Sequence, residues 1–244
     1  MSELQNPALY LLASLLSSCP EPARWLEELP LLRNDNTGNG RHSEALADPL
    51  AEWLSDLNEE RLWALHSEYI DIFDRQHVAN PIYETEYGRN RSISKATELA
   101  DLAGFYRAFG LDPDGIPEMP DHFAVELEFY AYLLMKQQLL QDLHDADGVA
   151  IVAQARQHFL RDHLGGFAKA MAASEGTQAH PFYGPLFQWT GQLVTAACRT
   201  LDVDPAPIAY FSREQEAEGF DCATLGSCPV VQAAQKSAEQ AEGA

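Results

Sequence analysis

The chain has few basic residues. Lysine and arginine together number 16 against 37 aspartates and glutamates, and the formal net charge is -21 over 244 residues. This surplus of negative charge opposes contact with phosphate backbones and anionic lipids, so nucleic acid and membrane surfaces are disfavoured as partners. The same charge suits a basic partner, although it also serves solubility.

Long apolar runs and cysteines are also scarce. No run approaches the length of a membrane span, and no basic residue precedes the apolar stretch at 8–16. We therefore expect an amphipathic first helix rather than a secretory signal, and a cytoplasmic location. The four cysteines are too few and too scattered for a disulfide framework.

Sequence signatures of common catalytic sites are missing. No glycine pattern precedes Lys-Ser or Lys-Thr as in phosphate-binding loops, no Glu-x-x-His pair offers di-iron ligands, and no Gly-x-Ser-x-Gly elbow occurs. Neither Cys19 nor Cys198 has a neighbouring base in the sequence that would activate its thiol. Nucleotide hydrolysis, a built-in metal site and nucleophilic catalysis are therefore unsupported, and we expect a protein that is not an enzyme.

What the sequence does contain is helical periodicity. Apolar residues recur at intervals of three and four, whereas the alternation typical of a half-buried strand is hard to find. The pattern predicts an all-α protein with one domain of about eight to ten helices over residues 1–212. Apolar residues thin out over 213–244, which predicts an acidic, cysteine-containing mobile tail. The expected helices cover 7–18, 22–32, 48–56, 58–73, 93–109, 121–143, 147–173 with a break at Gly165-Gly166, and 182–201.

An acid and an imidazole stand together where the sixth predicted helix begins. Asp121 is expected to be the N-cap, because its carboxylate can accept from free amides of the first turn, and His122 beside it would be fixed in direction. Three interpretations are open at this point. The pair is a helix cap in a generic helical adaptor, the acid and base of a small helical hydrolase or lyase, or part of a binding site.

The segment between the fourth and fifth predicted helices, residues 74–90, mixes aromatic, acidic and basic side chains. Long polar loops with aromatic residues often line binding surfaces. A loop that is held in place by its own tyrosines explains the composition equally well. Both interpretations are kept.

Three stretches occur in an order that is typical of one protein family. Residues 69–73 read Tyr-Ile-Asp-Ile-Phe and look like an aromatic-x-x-Leu-Phe motif with Ile72 in the leucine position. Residues 118–122 match a Glu-x-Pro-Asp-His motif without departure, and residues 159–164 are similar to a third common stretch. Together they resemble the TorD/DmsD/NarJ family of cytoplasmic chaperones for molybdenum enzymes. The resemblance covers residues 8–201 and implies a TorD-like helical bundle.

The resemblance implies binding rather than catalysis. Such proteins hold the twin-arginine leader and the apo-form of a molybdopterin-dependent catalytic subunit, delay its export and aid cofactor insertion. A leader combines two arginines with an apolar stretch, so its receptor needs an apolar groove and acidic groups. The expected leader-binding residues are Tyr69, Ile72, Phe73, Asp121, His122 and Phe123; the expected arginine partners are Asp71, Asp74, Glu84 and Glu86, with Asp121; the loop adds Pro81, Tyr83 and Tyr87.

The resemblance also bears on the client and on cofactors. The loop at 80–88 looks closest to chaperones that serve dimethylsulfide and ethylbenzene dehydrogenases and selenate and chlorate reductases. No stably bound cofactor or metal is expected, and transient contact with the molybdopterin cofactor or guanine nucleotide is left open. The choice between monomer and homodimer is also left open.

Overall fold

Ten α-helices make up most of the part of the chain that the structure describes. The computed structural model describes residues 6–33, 48–74, 81–88, 91–115 and 118–210. Within these residues there is one isolated β-bridge and no β-strand, which confirms the predicted all-α class. The helices are α1 Pro7–Ser17, α2 Pro22–Arg33, α3 Asp48–Ser55, α4 Glu59–Tyr69, α5 Arg91–Ala108, α6 Phe123–Asp142, α7 Ala146–Phe159, α8 Gly165–Ala172, α9 Glu175–Gln178 and α10 Tyr183–Thr200.

Side-chain caps explain where several helices begin. The Asn6 side chain accepts from the amide of Ala8 at 3.1 Å, directly before Pro7, a residue that suits the first helical turn. Asn58 in the same way caps α4, and Asp145 caps α7. Each cap satisfies an amide that has no partner inside its helix. Local sequence therefore determines these three helix starts.

The core is rich in aromatic side chains and centres on α6. Helix α6 packs against α1 and α7, and α10 packs against α8. Fully buried aromatic rings from separate elements meet there, including Tyr10, Trp25, Phe123, Phe159 and Phe187. Burial of such rings is the main favourable contribution to folding, at about 25 cal/mol per Å² of apolar surface. None of the described helices is long and apolar enough to cross a membrane.

The predicted break at Gly165-Gly166 is wrong. The helix is interrupted one turn earlier, by a π-helical turn at Leu160–Leu164, and α8 begins at Gly165. The two glycines serve a different purpose, because the segment 203–210 crosses directly over them. A Cβ on Gly166 would lie 2.4 Å from the carbonyl oxygen of Ala206. Only a residue without a side chain allows this approach.

The remaining helix predictions agree with the structure to within a few residues. The exception is the predicted helix 58–73, in which α4 ends at Tyr69 and a π-helical turn spans Ile70–Asp74. The sequence analysis missed the short helix α9 and the 3₁₀ turns Glu84–Glu86 and Pro113–Gly115. The predicted tail 213–244 lies outside the described residues, so its mobility stays a prediction.

Candidate functional site

The end of α4 and the start of α6 meet in the interior. The hydroxyl of Tyr69 and Nε2 of His122 lie 2.9 Å apart, although the two residues are 53 positions apart in the chain. The ring of Tyr69 also packs against Phe73 at a centroid distance of 4.9 Å. The two motif segments are thus joined by a buried hydrogen bond. We call this contact and the polar groups around it the junction; these groups are Glu84, Thr85, Asp121, Glu126 and His163.

His122, rather than Asp121, is the N-cap of α6. Its Nδ1 accepts from the amide of Ala124 at 3.1 Å, so Nε2 carries the proton and donates to the Tyr69 hydroxyl. Burial lowers the pKa of His122 from 6.5 to about 4, since a charged ring would lose its water. The imidazole is therefore neutral at physiological pH, and both of its nitrogens are engaged. An acid–base role for Asp121 and His122 has no support in this arrangement.

Asp121 turns away from its own helix and binds the loop at 81–88. Its Oδ2 accepts from the hydroxyl of Thr85 at 2.6 Å and from the Thr85 amide at 3.3 Å. Backbone atoms strengthen the connection, because Glu84 donates to the carbonyl of Asp121 and Phe123 donates to the carbonyl of Ile82. The predicted capping role of Asp121 is therefore corrected: the carboxylate fastens the loop to the start of α6.

Tyrosines hold the same loop in place. Tyr87 donates to the carbonyl of Pro81 at 2.9 Å and packs its ring against Phe167. Tyr83 donates to the carboxylate of Glu118 at 3.3 Å and sets its ring against His122. Within residues 81–88, the tyrosines therefore hold the loop, and its part in a binding surface stays a prediction.

Three acidic side chains lie close together where the loop meets α6: Glu84, Asp121 and Glu126. Glu84 is 10% exposed and accepts from Nδ1 of His163 at 3.0 Å. Burial works against a charged His163, but the hydrogen bond and the negative charge of Glu84 raise the pKa of the imidazole. Glu126 is fully buried, and this burial, followed by the charges of Glu84 and Asp121, raises its pKa well above 4.5. Glu126 therefore favours the neutral acid, which limits the repulsion among the three carboxyl groups.

An open groove built from the predicted leader-binding residues is not present in this arrangement. Their side chains form the interior of the junction, and only Ile72 is partly exposed. The physical reason is that Tyr69, His122 and Oδ2 of Asp121 form hydrogen bonds inside the protein and the aromatic rings pack against one another, so the site closes on itself. Their part in leader recognition stays a prediction. The exposed fractions are 5% for Tyr69, 3% for Phe73, 1% for Asp121, and 0% for His122 and Phe123.

The predicted arginine partners differ in their exposure. Asp71 is exposed. Glu84 is engaged with His163 in the interior, and Glu86 forms an ion pair with Lys95. Their part in binding arginines stays a prediction. The side chain of Asp74 lies outside the described residues.

The tertiary structure brings a base to Cys19, contrary to the sequence analysis. Nδ1 of His66 lies 3.4 Å from Sγ of Cys19. The same Nδ1 lies 2.8 Å from the carbonyl oxygen of Pro20, an atom that can only accept a hydrogen bond. Nδ1 therefore carries a proton toward Pro20 and is unable to take one from the thiol.

An open apolar groove lies elsewhere, along the outer face of α6. Its volume is about 260 Å³, and it is bounded by α6, by the connection that follows α5 and by α1. Leu11, Val125, Tyr132 and Met135 contribute apolar surface, and the exposed carboxylates of Asp112 and Glu128 also line it. We call this feature the α6 groove.

The sequence analysis missed both Thr85 and the α6 groove. Thr85 gives no signal, because only the fold brings its hydroxyl to Asp121. The groove had a signal, since apolar residues occur on every face of α6, and one of those faces has to lie at the surface unless the helix is wholly buried. Met135, Leu139 and Leu143 recur at intervals of four and are 40%, 58% and 66% exposed.

Comparison with known proteins identifies the family. No curated protein matches the chain. The family described as nitrate reductase delta subunit matches residues 39–173, which is more than half of the chain and includes the junction and most of the helices around it. This family consists of chaperones for molybdoenzyme assembly and not of catalysts. The resemblance found in the sequence is thereby confirmed: the chain belongs to the nitrate reductase delta subunit family of molybdoenzyme assembly chaperones.

Proposed function

We propose that the chain is a dedicated assembly chaperone that binds the twin-arginine leader and the apo-form of one molybdopterin-dependent catalytic subunit. Binding would take place in the cytoplasm, before export, while the client is open for cofactor insertion. The chain itself would hold no cofactor stably. The client would belong to the branch of dimethylsulfide and ethylbenzene dehydrogenases and selenate and chlorate reductases, on the resemblance of the loop at 80–88.

The meeting of the two motif segments carries this proposal. The Tyr69–His122 hydrogen bond brings the end of α4 to the start of α6, and the surface groups Asp71 and Met119 lie within three residues of that contact along the chain. Met119 is 47% exposed. An acidic group and an apolar side chain at the surface fit a peptide that is basic at one end and apolar beyond it.

Charge supports the same partner. A chain with a net charge of -21 attracts a basic segment over long range and speeds its encounter, particularly at low salt. Contact with an anionic surface would be opposed by the same charge. A twin-arginine leader is positively charged, so its charge is opposite to that of this chain.

Affinity capture from the native host followed by calorimetry tests the proposal. Capture with the tagged full chain, read by mass spectrometry, identifies the molybdopterin-containing subunit. A synthetic peptide of that subunit's leader is then titrated into the purified chain, with a second peptide in which both arginines are replaced by glutamine. We expect a dissociation constant of about 10 µM or tighter for the leader and at least about tenfold weaker binding of the glutamine peptide. No heat with the leader at tens of micromolar contradicts leader binding.

A further inference from the structure

We propose that the leader docks in the α6 groove, with its arginines at the carboxylates of Glu128 and Asp112 and its apolar stretch along the exposed face of α6. This inference rests on the proposed function. It assigns the contact surface to the outer face of α6 rather than to Asp71 and Met119 beside the junction.

The shape of the groove suits an apolar segment. Tyr106 donates its hydroxyl to the carbonyl of Pro120 at 2.6 Å, and Tyr132 donates to the carbonyl of Phe109 at 3.0 Å. Because both hydroxyls are engaged with backbone, the two rings are held in place and present carbon to the groove. A wall that is already ordered loses little entropy when a ligand binds.

The length of the exposed face suits a leader. Val125, Met135 and Leu143 span 18 residues of chain, which is about 27 Å of helix at about 1.5 Å per residue. Residues 135, 139 and 143 share one face, because they are four apart. An amphipathic helix of about 18 residues, or an extended apolar stretch of about eight, covers a surface of this length.

The charges around the groove give the leader a direction. Glu128 lies on the second turn of α6, nearer to the start of that helix, and Asp112, which follows α5, lines the same groove. Lys136 lies one turn beyond Tyr132 and stands over the Phe109 and Tyr132 rings, at 5.6 and 5.5 Å. The arginines of a leader are attracted to the carboxylate of Glu128 and repelled by the ammonium group of Lys136. The leader therefore runs from its arginines near Glu128 to its apolar part near Met135.

A second copy of this chain fits the groove less well. Two copies that met through the same face would bring Asp112 and Glu128 of each near the other, since a two-fold interface apposes identical patches. Each copy also carries a net charge of -21. Like charges oppose such a contact, whereas a basic peptide neutralises them.

The test compares matched surface variants of the full chain with the synthetic client leader as probe. Met135→Asp changes a groove residue that is 40% exposed, and Leu26→Asp changes a residue on α2 that is 42% exposed and outside the groove. We expect calorimetry to show at least about tenfold weaker leader binding for Met135→Asp and less than about twofold change for Leu26→Asp. Circular dichroism and a melting curve confirm that both variants are folded.

A second pair tests the charges. Glu128→Gln removes a groove carboxylate, and Glu27→Gln removes an exposed one on α2. We expect about threefold weaker leader binding for Glu128→Gln at low salt, with the difference from wild type shrinking at high salt because ions screen exposed pairs. With the glutamine-substituted peptide, Glu128→Gln and wild type should bind alike.

The outcomes separate the two proposals. A wild-type chain that binds no leader overturns leader binding itself. A wild-type chain that binds the leader while Met135→Asp and Glu128→Gln bind it equally well leaves the proposed function in place and overturns the groove. If, without peptide, the wild type sediments as a dimer and Met135→Asp as a monomer, the groove is a self-association surface. This result also overturns leader docking there.

Discussion

The two faces of α6 differ in an unexpected way. On the inner side of its first turns lie polar groups, His122 and Glu126, that are 0% exposed. On the outer side lie apolar groups such as Met135 and Leu139, which are 40% and 58% exposed. Most of the inner face of α6 is apolar, as is usual for a helix at a protein surface, so the two buried polar groups and the exposed apolar ones are the exceptions. The inner groups fix the geometry of the start of α6, and in the docking proposal the outer groups contact the leader.

The polar groups of the junction are only partly paired: three pairs are defined, whereas within the described residues Oδ1 of Asp121, both carboxyl oxygens of Glu126 and Nε2 of His163 have no hydrogen-bond partner. Tyr69 meets His122, Thr85 meets Asp121, and Glu84 meets His163. A satisfied polar network fixes one arrangement, whereas an unsatisfied one is costly. The α6 groove differs from the junction, because its surface is apolar and exposed. Such a surface is unfavourable in water until another molecule covers it. The predictions below test this contrast, beginning with the largest expected effect.

The pH dependence of stability should depend strongly on His122. Its pKa is about 4 when folded and 6.5 in an unfolded chain, so it contributes stability above pH 6.5 that is lost as the pH falls toward 4. The difference corresponds to about 3 kcal/mol. Raised pKa values at Glu84 and Glu126 act in the opposite direction over this range, because their protonation favours the folded state.

The measurement that isolates His122 is a comparison with His122→Asn. Asparagine is a good N-cap but does not titrate. Urea unfolding at several pH values between 7 and 4 should show the wild type losing more stability than the variant as the pH falls. If the free energy of unfolding falls equally with pH in the two proteins, His122 is not a buried neutral imidazole.

Asp121→Ala should destabilise the fold by about 2 kcal/mol, because it leaves the buried hydroxyl and amide of Thr85 without their acceptor. The matched control is Glu128→Ala on the outer face of the same helix, for which we expect a change within about 0.5 kcal/mol. Denaturation in urea at neutral pH measures both. Equal effects of the two substitutions would remove the distinction between the two faces.

Tyr69→Phe should cost about 1 kcal/mol, since it leaves the proton on Nε2 of His122 buried without an acceptor. Tyr83→Phe serves as the control, because its hydroxyl makes a longer bond of 3.3 Å in a partly buried position. We expect a smaller loss of unfolding free energy for that variant. A double variant of Tyr69→Phe with His122→Asn should be less destabilised than the sum of the single changes, because the two residues share one bond.

Met135→Gln should leave the free energy of unfolding within about 0.5 kcal/mol of wild type, because the side chain is 40% exposed. A polar group of similar length removes apolar surface from the groove without disturbing the interior. Chemical denaturation checks stability, and calorimetry with the client leader checks binding. A large loss of stability would mean that Met135 belongs to the core rather than to a docking face.

Much of the fold could be predicted from sequence, but the role of single polar residues could not. Helical spacing predicted the all-α class and most helix bounds, and the asparagine at position 58 lies where a cap is expected. The capping role of Asp121 was predicted wrongly, because a neighbouring residue, His122, competed for the same amides and the loop residue Thr85 competed for the carboxylate. The glycines at 165 and 166 predict a helix break by themselves, because their contact with residues 205 and 206 is not visible in the local sequence.

The sequence by itself determined the helices, the acidity and the family, since periodicity, charge and ordered motifs are properties of the chain. Only the tertiary structure decided which of the motif side chains are interior and which surface is open. The reason is that burial depends on what packs against a residue from distant parts of the chain. The identities of Tyr69 and His122 do not show whether the two side chains are exposed. Their contact across 53 residues of chain makes them part of the interior.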